Sequence, residues 1–515
     1  MLHRNRRTFL ADVGKGMLLA SVGPALAAEL RLAPAFAADV SERLSFGDRE
    51  PLVALMQETP ADKLLPILVE KLKAGTGLQS LVAAAALANA RTFGGQDYTG
   101  FHAFMALLPS YQMAQELPPS MQSLPVLKVL YRNTRRIQDV GGRKNEVLHP
   151  VEAADLPQDR PGGELLRDAT RKADVDAAER TFAALAKGPV GEAFNHLQFS
   201  VQDELDVHRV VLAWRAWAVL DLAGKEQAHT LLRQSVRFCV DEEQSIRKRN
   251  RQPEIRTVLP KLLDEYRLLG RPLGKREADD GGIEKLAQTV YGSSGAQAAD
   301  AAAAALSEGM SPEAVGEAIS LAANRLVLCD PGRRKEHASP GKPEGSVHGA
   351  SVGVHASDSA NAWRNIARVS DLRNTVASLI VGAHHTAGQS GGQTKAPQPL
   401  PEELEKIKTK DADAILRDAE GAIKERDQAR ACALVHRYGE LGHPARPVFD
   451  LLLKYAVSED GALHAEKYYR TVTEEFAASR PAFRWRHLAA LTRVTASEYG
   501  YPADGYAEAC HLLKV

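Results

Sequence analysis

Apolar positions recur along this chain at three- and four-residue intervals almost throughout, and sustained alternation of β-branched with polar residues is absent. That period belongs to helices buried on one face. Thr59-Pro60-Ala61-Asp62 reads as a helix start, with Pro at the first position and an acid in the first turn; Leu64, Leu65, Ile67, Leu68 and Leu72 form the stripe that follows, and Gly75 and Gly77 end it. Residues 78–90 (LQSLVAAAALANA) are apolar nearly all round, which marks a helix enclosed on most sides. Further helices are expected over 124–140, 175–187, 372–385, 411–424, 427–439, 447–456 and 459–478. Within 124–140, Arg132, Arg135 and Arg136 read as a solvated basic face. The pattern predicts an all-α protein, a large multi-helix bundle or helical-hairpin array. It is divided into a main domain over 39–387, a Gly/Ser- then Pro-rich linker over 388–402, and a C-terminal helical segment over 403–515 packing on the main domain.

Breaks in the pattern carry histidines. The turn Gly94-Gly95-Gln96-Asp97-Tyr98-Thr99-Gly100 delivers His102 to the start of an apolar helix, and Asp203, Glu204 and Asp206 precede His208 at the entrance to VVLAWRAWAVL. An imidazole at such a helix mouth faces the core, where leaving it unpaired is costly, so it hydrogen-bonds or ligates. Tyr98 is positioned to offer a phenol to a bound substrate, with a plain packing aromatic as the ordinary alternative. His464 and Lys467, three apart, share a helix face. The ordinary alternative for Lys467 is an ion pair with Glu466 or Asp460.

The densest stretch is 345–368, GSVHGASVGVHASDSANAWRNIAR. On a continuous helix His348 and His355 would return to nearly the same face, but about 10.5 Å apart along the axis, too far to share one ion without a bend. Gly349 and Gly353 permit one. The expected arrangement has His348 in a loop or frayed start and His355 inside the helix, with Asp358 one turn on as an acceptor that orients an imidazole. His384-His385 end the next helix, where His385 is a reserve ligand and helix-dipole stabilisation is the competing reading.

Composition narrows the classes. With 65 basic and 65 acidic residues and a pI near 7.3, a nucleic-acid footprint is not expected. Residues 1–38 read as a twin-arginine-type signal peptide: Arg4, Arg6 and Arg7, the run Asn5-Arg6-Arg7-Thr8-Phe9-Leu10, an apolar stretch over 13–26 too weak for a stable membrane span, and small-residue cleavage patterns ending at Ala27 and Ala37. The expectation is a periplasmic protein delivered by the twin-arginine export machinery, a route that carries proteins already folded, often around a metal loaded beforehand. Cys239, Cys329, Cys432 and Cys510 are scattered and form no CxxC, which argues against thiolate zinc, haem attachment and iron-sulfur sites. Sixteen histidines leave imidazole as the metal ligand.

Val347-His348-Gly349-Ala350 followed by a second histidine and an Ala/Asn/Arg-bearing helix resembles an element of the questin oxidase-like family. His102 before its Ala/Leu helix, His208 ahead of Val210-Val211-Leu212-Ala213-Trp214, and His464 with Lys467 are similar to that family's scattered histidines and late His/Lys helix. The resemblance spans residues 77–491 by short motifs. It implies an all-helical oxygenase acting on a small, aromatic-type molecule, with non-haem iron held by a subset of His102, His208, His348, His355 and His464 and with Lys467 as a carboxylated ligand. Export and the lack of a dinucleotide glycine fingerprint argue against NADPH. Two other readings stay open on the residues alone: a zinc hydrolase using the same histidines, and a helical-repeat scaffold without catalysis.

Overall fold

The structure, a computed structural model, describes residues 43–390 and 396–515; the expected signal segment lies outside them, as does part of the linker. Among the described residues every regular element is an α- or 3-10 helix, so the all-α expectation holds. Residues 46–147 and 151–515 form one compact unit, in which helices from both sides of the 388–402 linker take part.

Along the chain, the helices that build and border the site are α1 (Leu78–Phe93), α2 (Tyr98–Ala114), α3 (Ser123–Asp139), α4 (Gly162–Arg171), α5 (Val190–Val201), α6 (Val207–Ala218), α7 (Ile255–Glu265), α8 (Val352–Val369), α9 (Leu372–Gly388), α10 (Ala465–Ala478) and α11 (Trp485–Glu498). Helix α1 is buried continuously from Leu81 to Phe93, as its uniformly apolar sequence requires. Helix α2 packs on α1, α3, α6 and α10; α8 packs on α6, α9 and α10. These contacts enclose the N-terminal ends of α2, α6 and α10 together with the first turns of α8.

Local chemistry fixes those ends. Asp97 caps α2 by accepting from the Gly100 N–H at 2.7 Å, and Arg136 of α3 grips the same carboxylate at 2.9 and 2.6 Å. Asp206 caps α6 through the His208 and Arg209 N–H groups. The arginines of α3 are therefore not a free wet face. Arg132 pairs with Asp460, Arg135 with Asp504 and Arg136 with Asp97, so two of the three brace turns that carry site histidines.

Helix α8 begins at Val352, which leaves His348 in the preceding loop and His355 in the first turn, as expected. The glycines serve close approach rather than a bend. A Cβ on Gly353 would lie 2.6 Å from the Val327 backbone nitrogen, and one on Gly349 would lie 2.6 Å from the His464 Cβ. All four cysteines are unpaired.

Candidate metal centre

Three imidazoles from distant parts of the chain meet at one point. One ring nitrogen each of His102, His355 and His464 can be chosen so that all three lie within 4.8 Å of one another. The Nε2 atoms of His355 and His464 are 3.1 Å apart. The His208 ring adjoins the group, with centroids 4.8 Å from His102 and 5.6 Å from His355.

The outer nitrogens of His102 and His464 are tied down, which fixes their tautomers. His102 Nδ1 donates to the Tyr98 carbonyl at 2.7 Å and His464 Nδ1 to the Ala462 carbonyl at 2.9 Å, so both Nε2 atoms carry the lone pair; that of His464 accepts from His355 Nε2. His208 Nδ1 lies 3.5 Å from the capping carboxylate of Asp206. The Nε2 atoms of His102 and His208 are buried without a protein hydrogen-bond partner. Two Nε2 atoms without a protein partner therefore stand beside the His355–His464 pair, a donor set that suits a cation.

Electrostatics agrees. Burial, reinforced by the Lys467 charge, holds His102 and His464 far below the usual imidazole range and brings His355 down to about 3, so at neutral pH these rings are unprotonated donors. Lys467 is only 2% exposed. Its sequence neighbours do not neutralise it, because Glu466 pairs with Lys128 at 2.8 Å and Asp460 with Arg132. Burial brings the Lys467 amine down to about 8, with Asp358 opposing and Arg215 reinforcing the shift.

The loop before α10 is strained to present its histidine. Ala462 and Leu463 both take left-handed backbone angles, φ 50° and 65°, and the turn aims the Ala462 carbonyl back at His464. Each such residue costs about 1–2 kcal/mol. Ala462→Gly is expected to raise the unfolding free energy by about 0.5–1 kcal/mol while lowering metal affinity, because a looser carbonyl no longer fixes the imidazole; denaturation and metal titration of the same preparation read the two opposite signs.

Other expected residues fall elsewhere. His348 is buried behind Gly349, where its Nδ1 accepts from the Ala350 N–H at 2.9 Å and its Nε2 faces Glu498 at 3.6 Å; it is not one of the three clustered histidines. Asp358 does not hydrogen-bond His355. It accepts from Thr471 at 2.8 Å and faces Lys467 and Arg215 electrostatically, because that turn of α8 presents it to α10. The acceptors that orient the imidazoles are instead Tyr98 O, Ala462 O and Asp206. Tyr98 is 61% exposed, its ring 4.4 Å from that of His102, so it borders the centre from the solvent side. His385 accepts from Trp363 Nε1 at 3.3 Å and lines an open cleft of about 420 Å³ with Asp206, outside the cluster.

Two further residues bear on the site, Arg215 through its charge and Asp206 as the cap beside His208. Arg215 had a signal: a charge in the apolar run VVLAWRAW, seven residues past His208 and therefore on its face. Asp206 had one in its spacing, Asp-Val-His at a helix start.

Fold and site together define an all-α protein with a buried histidine cluster of metal-binding geometry. The chain matches no protein-family model, no curated protein and no solved structure.

Proposed function

We propose that this chain is an exported, histidine-ligated metalloenzyme of the non-haem iron oxygenase type, like the questin oxidase-like proteins it resembles, acting on a small organic molecule. The observation that carries the proposal is the meeting of His102, His355 and His464 within 4.8 Å, with the His208 ring beside them. A neutral imidazole set suits iron, copper and zinc, and a ferrous ion with open positions supplies binding and activation of dioxygen.

The chain's own groups divide the remaining work. Tyr98 O, Ala462 O and Asp206 hold the ligand rings. Exposed Tyr98, beside His102, marks the side from which a small molecule approaches from solvent. Arg215, 3% exposed, puts positive charge beside Asp358. With its amine near pKa 8, Lys467 has a neutral fraction able to attack carbon dioxide. Loss of one proton then leaves an anionic carbamate oxygen as a further ligand.

Metal analysis of the purified full-length protein tests the reading. About one iron per chain and substrate-dependent dioxygen uptake are expected, and His464→Ala is expected to cost roughly 100-fold or more in iron affinity while the helical circular dichroism persists. Folded protein that takes up no metal would sink the proposal; stoichiometric zinc without dioxygen uptake would replace it with a hydrolase.

A further inference from the structure

Away from the histidine cluster, four helices converge on a second chamber with an unbalanced charge. Its space is about 70 Å³, and its lining includes Arg167 and Arg171 from α4, Asp203 just after α5, Arg256 from α7 and Arg373 from the first turn of α9. Phe199, Leu259 and Leu263 supply apolar walls.

The carboxylates do not cover these guanidinium groups. Asp203 is shared between Arg171 at 2.5 Å and Arg256 at 3.1 Å. Glu243, the next buried acid, is likewise shared between Arg256 and Arg209. Arg167 reaches only Asp168, at 3.8 Å, and that carboxylate is already held by Arg160 at 2.6 Å; the Arg167 Nε–H is buried without a hydrogen bond. Arg373 stacks 3.8 Å over the Phe199 ring and donates to two neutral acceptors, Gln202 Oε1 and Asn374 Oδ1; among the described residues it enters no ion pair. Burial and the neighbouring Arg167 charge bring Arg373 down to about 10, with Asp371, Glu164 and Asp203 opposing. Arg373 is partly exposed, so water screens part of its charge, but a guanidinium drawn partly out of water with no ion-pair partner still favours an anion.

We propose that this chamber binds a tetrahedral oxyanion of the phosphate class, held by the guanidinium forks of Arg167, Arg171, Arg256 and Arg373. Guanidinium groups arriving from three helices match the several oxygens of such an ion, and planar forks pair with them two bonds at a time. The space is a few water molecules' worth, the size of a single phosphoryl group and far below that of an organic ligand, so any ester portion projects outward past the half-exposed Arg171. The positive end of α9 lies on the same side and adds to the attraction.

The test is calorimetric titration of the full-length protein with inorganic phosphate and, separately, phenyl phosphate, at ionic strength matched with sodium chloride. Saturable one-to-one binding is expected for phosphate, with a rise in Tm that chloride does not produce. Arg373→Met, which keeps an unbranched side chain of similar length but removes the guanidinium, is expected to weaken binding at least about tenfold and to abolish the Tm rise. Because it removes a charge that has no ion-pair partner, this variant should be no less stable than the parent in phosphate-free buffer. Tighter binding of phenyl phosphate identifies a phosphorylated organic molecule as the occupant; equal or weaker binding identifies the free ion. Folded protein that binds neither at about 10 mM, an equal response to chloride, or unchanged affinity in Arg373→Met would each overturn the assignment. Arg171→Met supplies an independent check, because Asp203 keeps Arg256 as its partner. The readouts do not involve the histidine cluster, so the two proposals fail or stand separately.

Discussion

Lys128→Met is expected to destabilise the protein by about 3–5 kcal/mol, the cost of leaving one member of a buried ion pair without its partner. Lys128 and Glu466 are 2% and 0% exposed, 2.8 Å apart, and the same ammonium donates to the Ala456 and Glu459 carbonyls at 2.8 Å each. Methionine fills the stem's volume but leaves Glu466 charged in the interior and two carbonyls without their donor. Replacing both partners, Lys128→Met with Glu466→Met, should recover most of the loss, since two apolar groups bring no unpaired charge. Chemical denaturation of the parent, the two single variants and the double variant measures the cycle. A single variant that loses less than about 1 kcal/mol would show that water reaches this pair. The pair also reaches the site: Glu466 stands two residues past His464 and next to Lys467, so the single variant should lose metal affinity along with stability.

Acidification of the metal-free protein is the second large effect. Burial brings His348 down to about 3 and His385 and His487 to about 4. Because the folded values lie below the unfolded one near 6.5, the unfolded chain binds more protons, and stability is fully present above pH 6.5 and lost as the pH falls toward 4. At pH 5 each of the three has lost about 2 kcal/mol. Glu498 works the other way: burial raises its carboxyl to about 7, so the folded state takes up a proton first and returns about 2 kcal/mol over the same interval. The net loss between pH 7 and 5 is about 4 kcal/mol before the clustered histidines are included, a large part of a protein's usual margin. Denaturation midpoints measured from pH 7 to 4.5 after chelation should fall steadily; a flat profile would contradict the neutral, buried state of these imidazoles. Glu498→Gln removes the compensating group and should steepen the fall.

Much of this was legible in the chain. The helices follow from apolar spacing, and the recurring unit of a polar turn, one histidine and an apolar helix marked His102 and His208 as residues facing inward. The Gly-rich approach to α8 correctly separated a loop histidine, His348, from a helical one, His355. The partners of these groups were not legible. Asp358 has the helical spacing to serve His355, yet α8 turns it to Thr471 and Lys467. Arg132 and Arg136 look like a solvated face, yet they brace the turns that carry His464 and His102. Lys467 has two acids at hand in sequence, and both are taken by α3.

The sequence by itself determined the helical class, the positions of the helix mouths and the residue types placed there, because periodicity, caps and turns are local and act within a few residues. The tertiary structure alone decided which imidazoles meet: His355 and His464 touch across 109 residues of chain, and His102 joins them from another 253 residues before His355. It also decided that His348 stands behind the cluster and that four arginines share too few acids. Such outcomes depend on how whole helices pack, where a rotation of one turn or the volume of one glycine settles which side chain reaches the centre, and nothing in the local pattern encodes that.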